Sequence, residues 1–117
     1  MNVSVIGLGY IGLPTAAILA SRGVNVFGVD TNPHIVKTIN EGKIHIVEPD
    51  LDKIVSKAVS DGFFKASTKP SSANVYLIVV PTPFKGNHEP DISFVEAATK
   101  AIIPLLKKGD LYIIEST

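Results

Sequence analysis

Three glycines at a set spacing, with one acid downstream, are the residues of this chain with the clearest chemistry. Gly7, Gly9 and Gly12 fall in the run VSVIGLGYIGLP, after an apolar stretch and before an alanine-rich one. Asp30 closes the next apolar stretch, eighteen residues past Gly12. A strand ending at Ile6, a tight turn and the first turn of a helix would aim backbone N–H groups at one point, the geometry that binds a diphosphate. In that arrangement Gly7 lets the chain turn, Gly9 lets the backbone approach the phosphates, and Gly12 lets the helix lie close to the sheet. The glycine spacing alone is a weak signal. Strand, turn, helix, second strand and terminal acid together make it a dinucleotide site.

The acid bears on which dinucleotide. A carboxylate at the end of the second strand accepts hydrogen bonds from both ribose hydroxyls and repels a 2′-phosphate, so Asp30 favours NAD over NADP. No arginine follows it; the next residues are Thr31, Asn32, Pro33 and His34. His34 is read as a partly exposed residue on a first helical turn. FAD and S-adenosylmethionine proteins also place an acid here, and the glycines with Asp30 leave them open.

Elements that would hold these residues follow from the hydrophobic pattern. Asn2–Ile6 reads as a short, mostly buried strand, and 10–22 as a helix rich in small residues, Ala16, Ala17, Ala20 and Ser21, ended by Gly23. Asn25–Val29 is the second strand. Asn32 and Pro33 are an N-cap and N1 pair opening a helix that stops at Gly42. After a loop at 43–48, Pro49 and Asp50 begin a helix with the stripe Leu51, Ile54, Val55, Ala58 and Val59, ended by Gly62. Residues 63–67 form a third strand. The stretch 75–80 is almost wholly apolar and β-branched, which suits a central parallel strand covered on both faces. A polar, proline-bounded loop covers 81–90. Asp91 then caps a long helix through Phe94, Val95, Ala98, Ile102, Leu105 and Leu106, whose last turn Pro104 kinks or shortens. Gly109 closes it, and Leu111–Ile114 is the fifth strand.

Alternating strands and helices call for an α/β fold: a Rossmann-type, doubly wound, three-layer parallel sheet of order 3-2-1-4-5. Its ligand belongs outside the carboxyl ends of the strands, where the order reverses between strands 1 and 4. The candidate segments there are 7–12, 30–32 and 81–84, with 115–117 ending the neighbouring strand.

Composition narrows the function classes. The chain has 117 residues, a single-domain length. Eleven basic and eleven acidic side chains cancel, with no polybasic run, so the footprint of a nucleic-acid or anionic-membrane binder is missing. Without cysteine there is no disulfide, thiolate metal site or thiol nucleophile, and His34, His45 and His88 lack close ligand spacing, so no metal is expected. No apolar run approaches membrane-spanning length, and the first strand leaves no room for a signal segment, so the expected location is cytoplasmic.

The chain resembles the nucleotide-sugar dehydrogenases of the UDP-glucose/GDP-mannose dehydrogenase superfamily over residues 1–117. The successive motifs VIGLGYIGLP, GVD, VPTPF, EPD and the terminal EST carry the likeness. EGKIHIVEPDL with VPTPFKGNHEPDISFVE looks most like the branch acting on UDP-N-acetyl-D-mannosamine, with UDP-N-acetylglucosamine and UDP-glucose enzymes as competitors. The resemblance implies an NAD-dependent oxidation of a sugar C6 alcohol to a carboxylate, in two hydride transfers with two NAD, feeding surface polysaccharide synthesis. It also implies that Tyr10 and Ile11 lie against the cofactor and that Asp30 holds the adenosine ribose. Thr82 would reach the cofactor, and Thr117 would approach the nicotinamide end and the catalytic water. The sequence departs from the UDP-glucose relatives at Ile35, where they often carry Lys or Arg. Lys85, Asn87, His88 and Glu89 are read as a solvated loop.

The second oxidation in that family passes through a thioester on cysteine, which this chain lacks, along with the family's catalytic lysine, asparagine and acid positions. The 117 residues are therefore expected to be the NAD-binding part of a longer homo-oligomeric enzyme, inactive alone, with the catalytic and UDP-sugar-binding parts beyond Thr117. A rival class is a non-catalytic NAD-sensing regulatory domain, against which the P-T-P loop and the E-S-T ending stand. A third is a hydroxyacid dehydrogenase of the 6-phosphogluconate group, which would carry a different loop after strand 4 and usually basic residues for NADP.

Overall fold

A computed structural model describes residues 1–80 and 93–115. Five strands, β1 (Asn2–Ile6), β2 (Asn25–Val29), β3 (Phe64–Ser67), β4 (Val75–Ile78) and β5 (Leu111–Ile114), form one parallel sheet of order β3-β2-β1-β4-β5. The helices are α1 (Gly12–Ser21), α2 (Pro33–Asn40), α3 (Leu51–Ser60) and α4 (Ser93–Ile102). This is the doubly wound order that the sequence predicts, with β1 central and β4 on the far side of it from β2.

Two cores lie on the two faces of the sheet. Val3, Val5, Val26 and Phe64 point to one face and pack with α1, α2 and α3 through Leu13, Ala16, Ala17, Ala20, Ile39, Leu51, Val55 and Ala58. Ile6, Val29, Tyr76 and Ile78 point to the other and pack with Ala98 and Ile102 of α4. The alternation of strand side chains assigns each residue to its face. Three fully buried alanines on α1 bring that helix close to the strands, as the small-residue stripe predicts.

Strand β4 departs from expectation on one side. Tyr76 and Ile78 are fully buried under α4, whereas Val75 and Leu77 on the opposite face are half-buried. On β5, Leu111 and Ile113 share that thinner face and are 52% and 40% exposed. The Tyr76 hydroxyl accepts from the Ala73 N–H at 2.9 Å and donates to the Leu105 carbonyl at 3.5 Å, so this buried phenol is satisfied by the loop before β4 and the turn after α4. Thr99 and Tyr112 share a hydroxyl hydrogen bond that ties α4 to β5.

Local chemistry sets the helix ends. The Asn32 side chain accepts from the His34 N–H at 2.9 Å, with Pro33 at the first helical position, as its N-cap role requires. A Schellman closure ends α1, α2 and α3 alike. In α1 the Gly23 N–H reaches Ala20 O and the Val24 N–H reaches Leu19 O. Pro104 ends α4 at Ile102, four residues short of Leu106, and leaves the 3-10 turn Ile103–Leu105 in place of a last α turn.

Other boundaries shift for identifiable reasons. Helix α1 begins at Gly12 rather than at residue 10, because Tyr10 and Ile11 belong to the turn before it. Asp50 gives α3 no side-chain cap; it sits in the left-handed region at φ 63° and only flanks the helix. Phe63 lies outside β3 because its N–H closes α3 on Ala58 O. The Asp91 cap lies outside the described residues. On the exposed edge, the Asn40 side chain donates to Ala66 O and accepts from Ala66 N–H at 2.9 and 2.8 Å, covering outward-facing backbone groups of β3.

Candidate functional site

At the carboxyl ends of the strands the chain forms a cavity of about 290 Å³. Ile6 and Gly7 form its floor, Val29, Asp30 and Thr31 one wall, Thr68 and Pro70 the outer rim, and Val80 with Phe94, Ala97, Ala98 and Ala101 of α4 the opposite wall. It lies at the point where the strand order reverses, where open α/β sheets bind their ligands. An apolar slot with an acid at one end suits a planar, largely apolar group joined to a polyhydroxyl one.

The glycine turn stands beside this slot, and its three glycines do different work. Gly7 has φ 102°, and a Cβ there would overlap the Val79 carbonyl oxygen and lie 2.7 Å from its carbon. Its N–H donates to Val29 O at 2.8 Å, holding the turn against β2. A Cβ on Gly12 would overlap the Gly7 carbonyl oxygen and lie 2.8 Å from the carbon, with the Val79 side chain at 3.6 Å. The sequence assigns Gly12 to helix-on-sheet packing; the structure shows the tighter constraint to be the helix start against its own turn. Around Gly9, among the described residues other than its two chain neighbours, no atom lies within 4 Å of where a Cβ would be. Gly9 therefore leaves open space at the head of α1.

The head of α1 suits an anion. Its N-cap position is Ile11, which supplies no side-chain acceptor, and the first turn carries no acid. Helix α2, by contrast, caps itself with Asn32. Leu13 N–H is taken by Gly9 O at 3.0 Å and Pro14 has none, so the donors this helix N-terminus presents to a ligand, with the positive end of its dipole, are those of residues 9–12. Tyr10 and Ile11 flank it at 69% and 41% exposure, outside the core.

Asp30 lines the cavity and is half-buried. Its Oδ2 accepts the Leu8 N–H at 3.1 Å and its Oδ1 accepts the Asn32 N–H at 3.0 Å. The structure thus brings Gly7, Gly9, Gly12 and Asp30 to one end of the sheet. Thr82 and Thr117 lie outside the described residues, as do Lys85, Asn87, His88 and Glu89.

Sequence reasoning missed part of the wall. Thr68 and Pro70 follow β3, an edge strand whose carboxyl end is not among the candidate segments 7–12, 30–32, 81–84 and 115–117, although the rule that ligands sit at strand ends includes it. Ala97 and Ala101 sit on α4 beside the buried Ala98, and small side chains there keep the slot open. Gly28 is a further close approach: a Cβ would meet Leu8 Cδ1 and Phe64 Cε1, each at 2.9 Å. A glycine inside a strand is the signal for such contact. Among the described residues no group of three or more His, Cys, Asp or Glu could hold a metal ion, and no helix is long and apolar enough to cross a membrane.

Comparison with known proteins agrees with this geometry. The sequence profile of the UDP-glucose/GDP-mannose dehydrogenase family, NAD binding domain, matches residues 1–117. A UDP-N-acetyl-D-mannosamine dehydrogenase of Yersinia pestis is 67% identical over 99% of this chain and 28% of its own length. An NDP-N-acetyl-D-galactosaminuronic acid dehydrogenase of Ralstonia nicotianae is 61% identical over 99% of this chain and 27% of its own length. The native structure of the UDP-N-acetyl-mannosamine dehydrogenase Cap5O from Staphylococcus aureus superposes with a TM-score of 0.97 at 43% identity, covering 100% of this chain and 29% of that one. The chain therefore spans less than a third of the length of these relatives. Because the match to that family's profile runs from residue 1 to residue 117, the chain belongs to the UDP-glucose/GDP-mannose dehydrogenase family, as its NAD binding domain.

Proposed function

We propose that this chain is the cofactor-binding portion of a UDP-N-acetyl-D-mannosamine 6-dehydrogenase, which oxidises the sugar C6 alcohol to the carboxylate with two NAD. The observation that carries the cofactor reading is the open space at Gly9 beside an uncapped α1, with Asp30 lining the adjoining slot; the substrate reading is supported by the relative that is 67% identical. In this reading the amides of residues 9–12 bind the diphosphate, because the Gly7, Leu8 and Leu13 N–H groups are already engaged and Pro14 has none; Gly9 admits it, and the Tyr10 and Ile11 side chains flank it. Asp30 takes the adenosine ribose hydroxyls, and the slot walled by Phe94, Val80 and the α4 alanines receives the adenine. The family resemblance assigns Thr82 to cofactor contact and Thr117 to the nicotinamide end and the catalytic water. The bound nicotinamide supplies the hydride acceptor; the chain's own residues fix its position. Residues 1–117 act as one nucleotide-binding unit, and the sugar-reading and thioester-forming groups belong to the remaining length such enzymes have. The whole enzyme is expected to be a cytoplasmic homo-oligomer.

The substrate is tested on the whole protein that carries this chain. Release of two NADH per UDP-N-acetyl-D-mannosamine consumed is the expected stoichiometry, read by absorbance. Faster turnover of UDP-N-acetylglucosamine or of an N-acetylgalactosamine nucleotide would move the assignment to a sister activity. The relative at 61% identity makes the second a real competitor.

Cofactor choice gives a separate expectation. A 2′-phosphate next to the Asp30 carboxylate adds like-charge repulsion, so NAD should bind more tightly than NADP by roughly tenfold or more. Asp30→Ala removes the repulsion and the ribose acceptor together, so calorimetry should show the preference reduced to within about threefold. Equal or tighter binding of NADP by the unaltered protein would remove Asp30 from the discriminating role.

A further inference from the structure

We infer that Asp30 is a positioning residue for the phosphate-binding turn, through its hydrogen bond to the Leu8 amide, in addition to reading the ribose; this rests on the dinucleotide reading of the cleft. Two successive amides of the turn are anchored to the end of β2: Gly7 N–H to Val29 O at 2.8 Å, and Leu8 N–H to Asp30 Oδ2 at 3.1 Å. The Leu8 side chain is fully buried on the opposite side, where it packs over Gly28. Leu8 is thus held by its side chain in the α1 core and by its amide at the cleft, and the direction in which the chain leaves toward Gly9 is set between these two anchors. The other oxygen, Oδ1, accepts the Asn32 N–H at 3.0 Å, and Asn32 in turn caps α2. One carboxylate therefore ties the glycine turn to the start of α2.

The two roles are compatible. An ionised carboxylate offers about four lone-pair sites, so two backbone bonds leave acceptors for the ribose hydroxyls while fixing the rotamer that presents them. Bonds from an amide to a carboxylate are stronger than those between neutral groups. The positioning role makes a prediction opposite in sign to the ribose role. For a dinucleotide without the adenosine ribose hydroxyls, a carboxylate that only reads ribose is a nearby negative charge, and its removal should tighten binding of the diphosphate. A carboxylate that also shapes the turn should, when removed, weaken binding of the same molecule.

The experiment titrates the protein, Asp30→Ala and Asp30→Asn with NAD and with its 2′,3′-dideoxyadenosine analogue, and follows exchange of the Leu8 amide hydrogen. The expected result is analogue binding weakened about tenfold by Asp30→Ala, with the Leu8 amide exchanging about tenfold faster. Asp30→Asn retains one carbonyl oxygen able to accept one of the two amides, so about a threefold loss is expected. Asp30→Ala binding the analogue as well as or better than the parent, with Leu8 exchange unchanged, would overturn the inference. Should the unaltered protein bind neither dinucleotide, the cofactor reading fails, while Leu8 exchange in the two variants still decides the positioning role.

Discussion

Gly12→Ala is expected to destabilise the fold by about 3 kcal/mol or more, the upper end of overpacking costs, lowering Tm by roughly 10–20 °C. The added methyl would overlap the Gly7 carbonyl oxygen and sit 2.8 Å from its carbon, and both are backbone atoms with little freedom to yield. Gly7 cannot move aside, because it has φ 102°, is hydrogen-bonded to Val29 and is pressed against the Val79 carbonyl. The start of α1 would have to lift away from the sheet, which uncovers Leu13, Ala16 and Ala17, all fully buried. Better helix propensity for alanine, about 1 kcal/mol at most, does not offset this. Thermal denaturation followed by circular dichroism measures it. A Tm within about 2 °C of the parent would mean that the turn relaxes cheaply and that the contact is no constraint.

The fold was legible in the sequence because its signals are local and mutually consistent. The glycine turn, the Asn32-Pro33 start of α2, the glycines closing α1 to α3 and the apolar run at β4 each name one element, and parallel crossovers leave few orders for five strands. Less legible were features created by distant residues meeting. Nothing near Asp30 in sequence says that its carboxylate takes the Leu8 amide, twenty-two positions earlier. Thr68 and Pro70 carry no motif and enter the cavity only because β3 pairs with β2. Boundary errors had the same origin: Phe63 is apolar and suits a strand, but the Schellman closure of α3 claims its N–H first. The division of labour among the glycines is also invisible in their spacing. Gly7 and Gly12 are held by neighbouring backbone, whereas Gly9 faces open space.

That contrast makes Gly9→Ala the most discriminating substitution in the site. Among the described residues beyond its chain neighbours no atom lies within 4 Å of the added methyl, so folding should be unaffected, with Tm within about 2 °C of the parent. The space it fills is at the head of α1, where the diphosphate must approach the backbone, and a methyl there holds the phosphate oxygens beyond hydrogen-bond distance. Losing charge-assisted bonds from one or two amides amounts to about 2–3 kcal/mol, or roughly 30- to 150-fold in NAD affinity by calorimetry. Gly9→Ala and Gly12→Ala should thus fail for opposite reasons, the first folded without cofactor affinity and the second short of stability. Undiminished NAD binding by a folded Gly9→Ala variant would place the diphosphate away from the α1 head, and the cofactor would then have to be sought along the apolar slot of Pro70 and Phe94 alone.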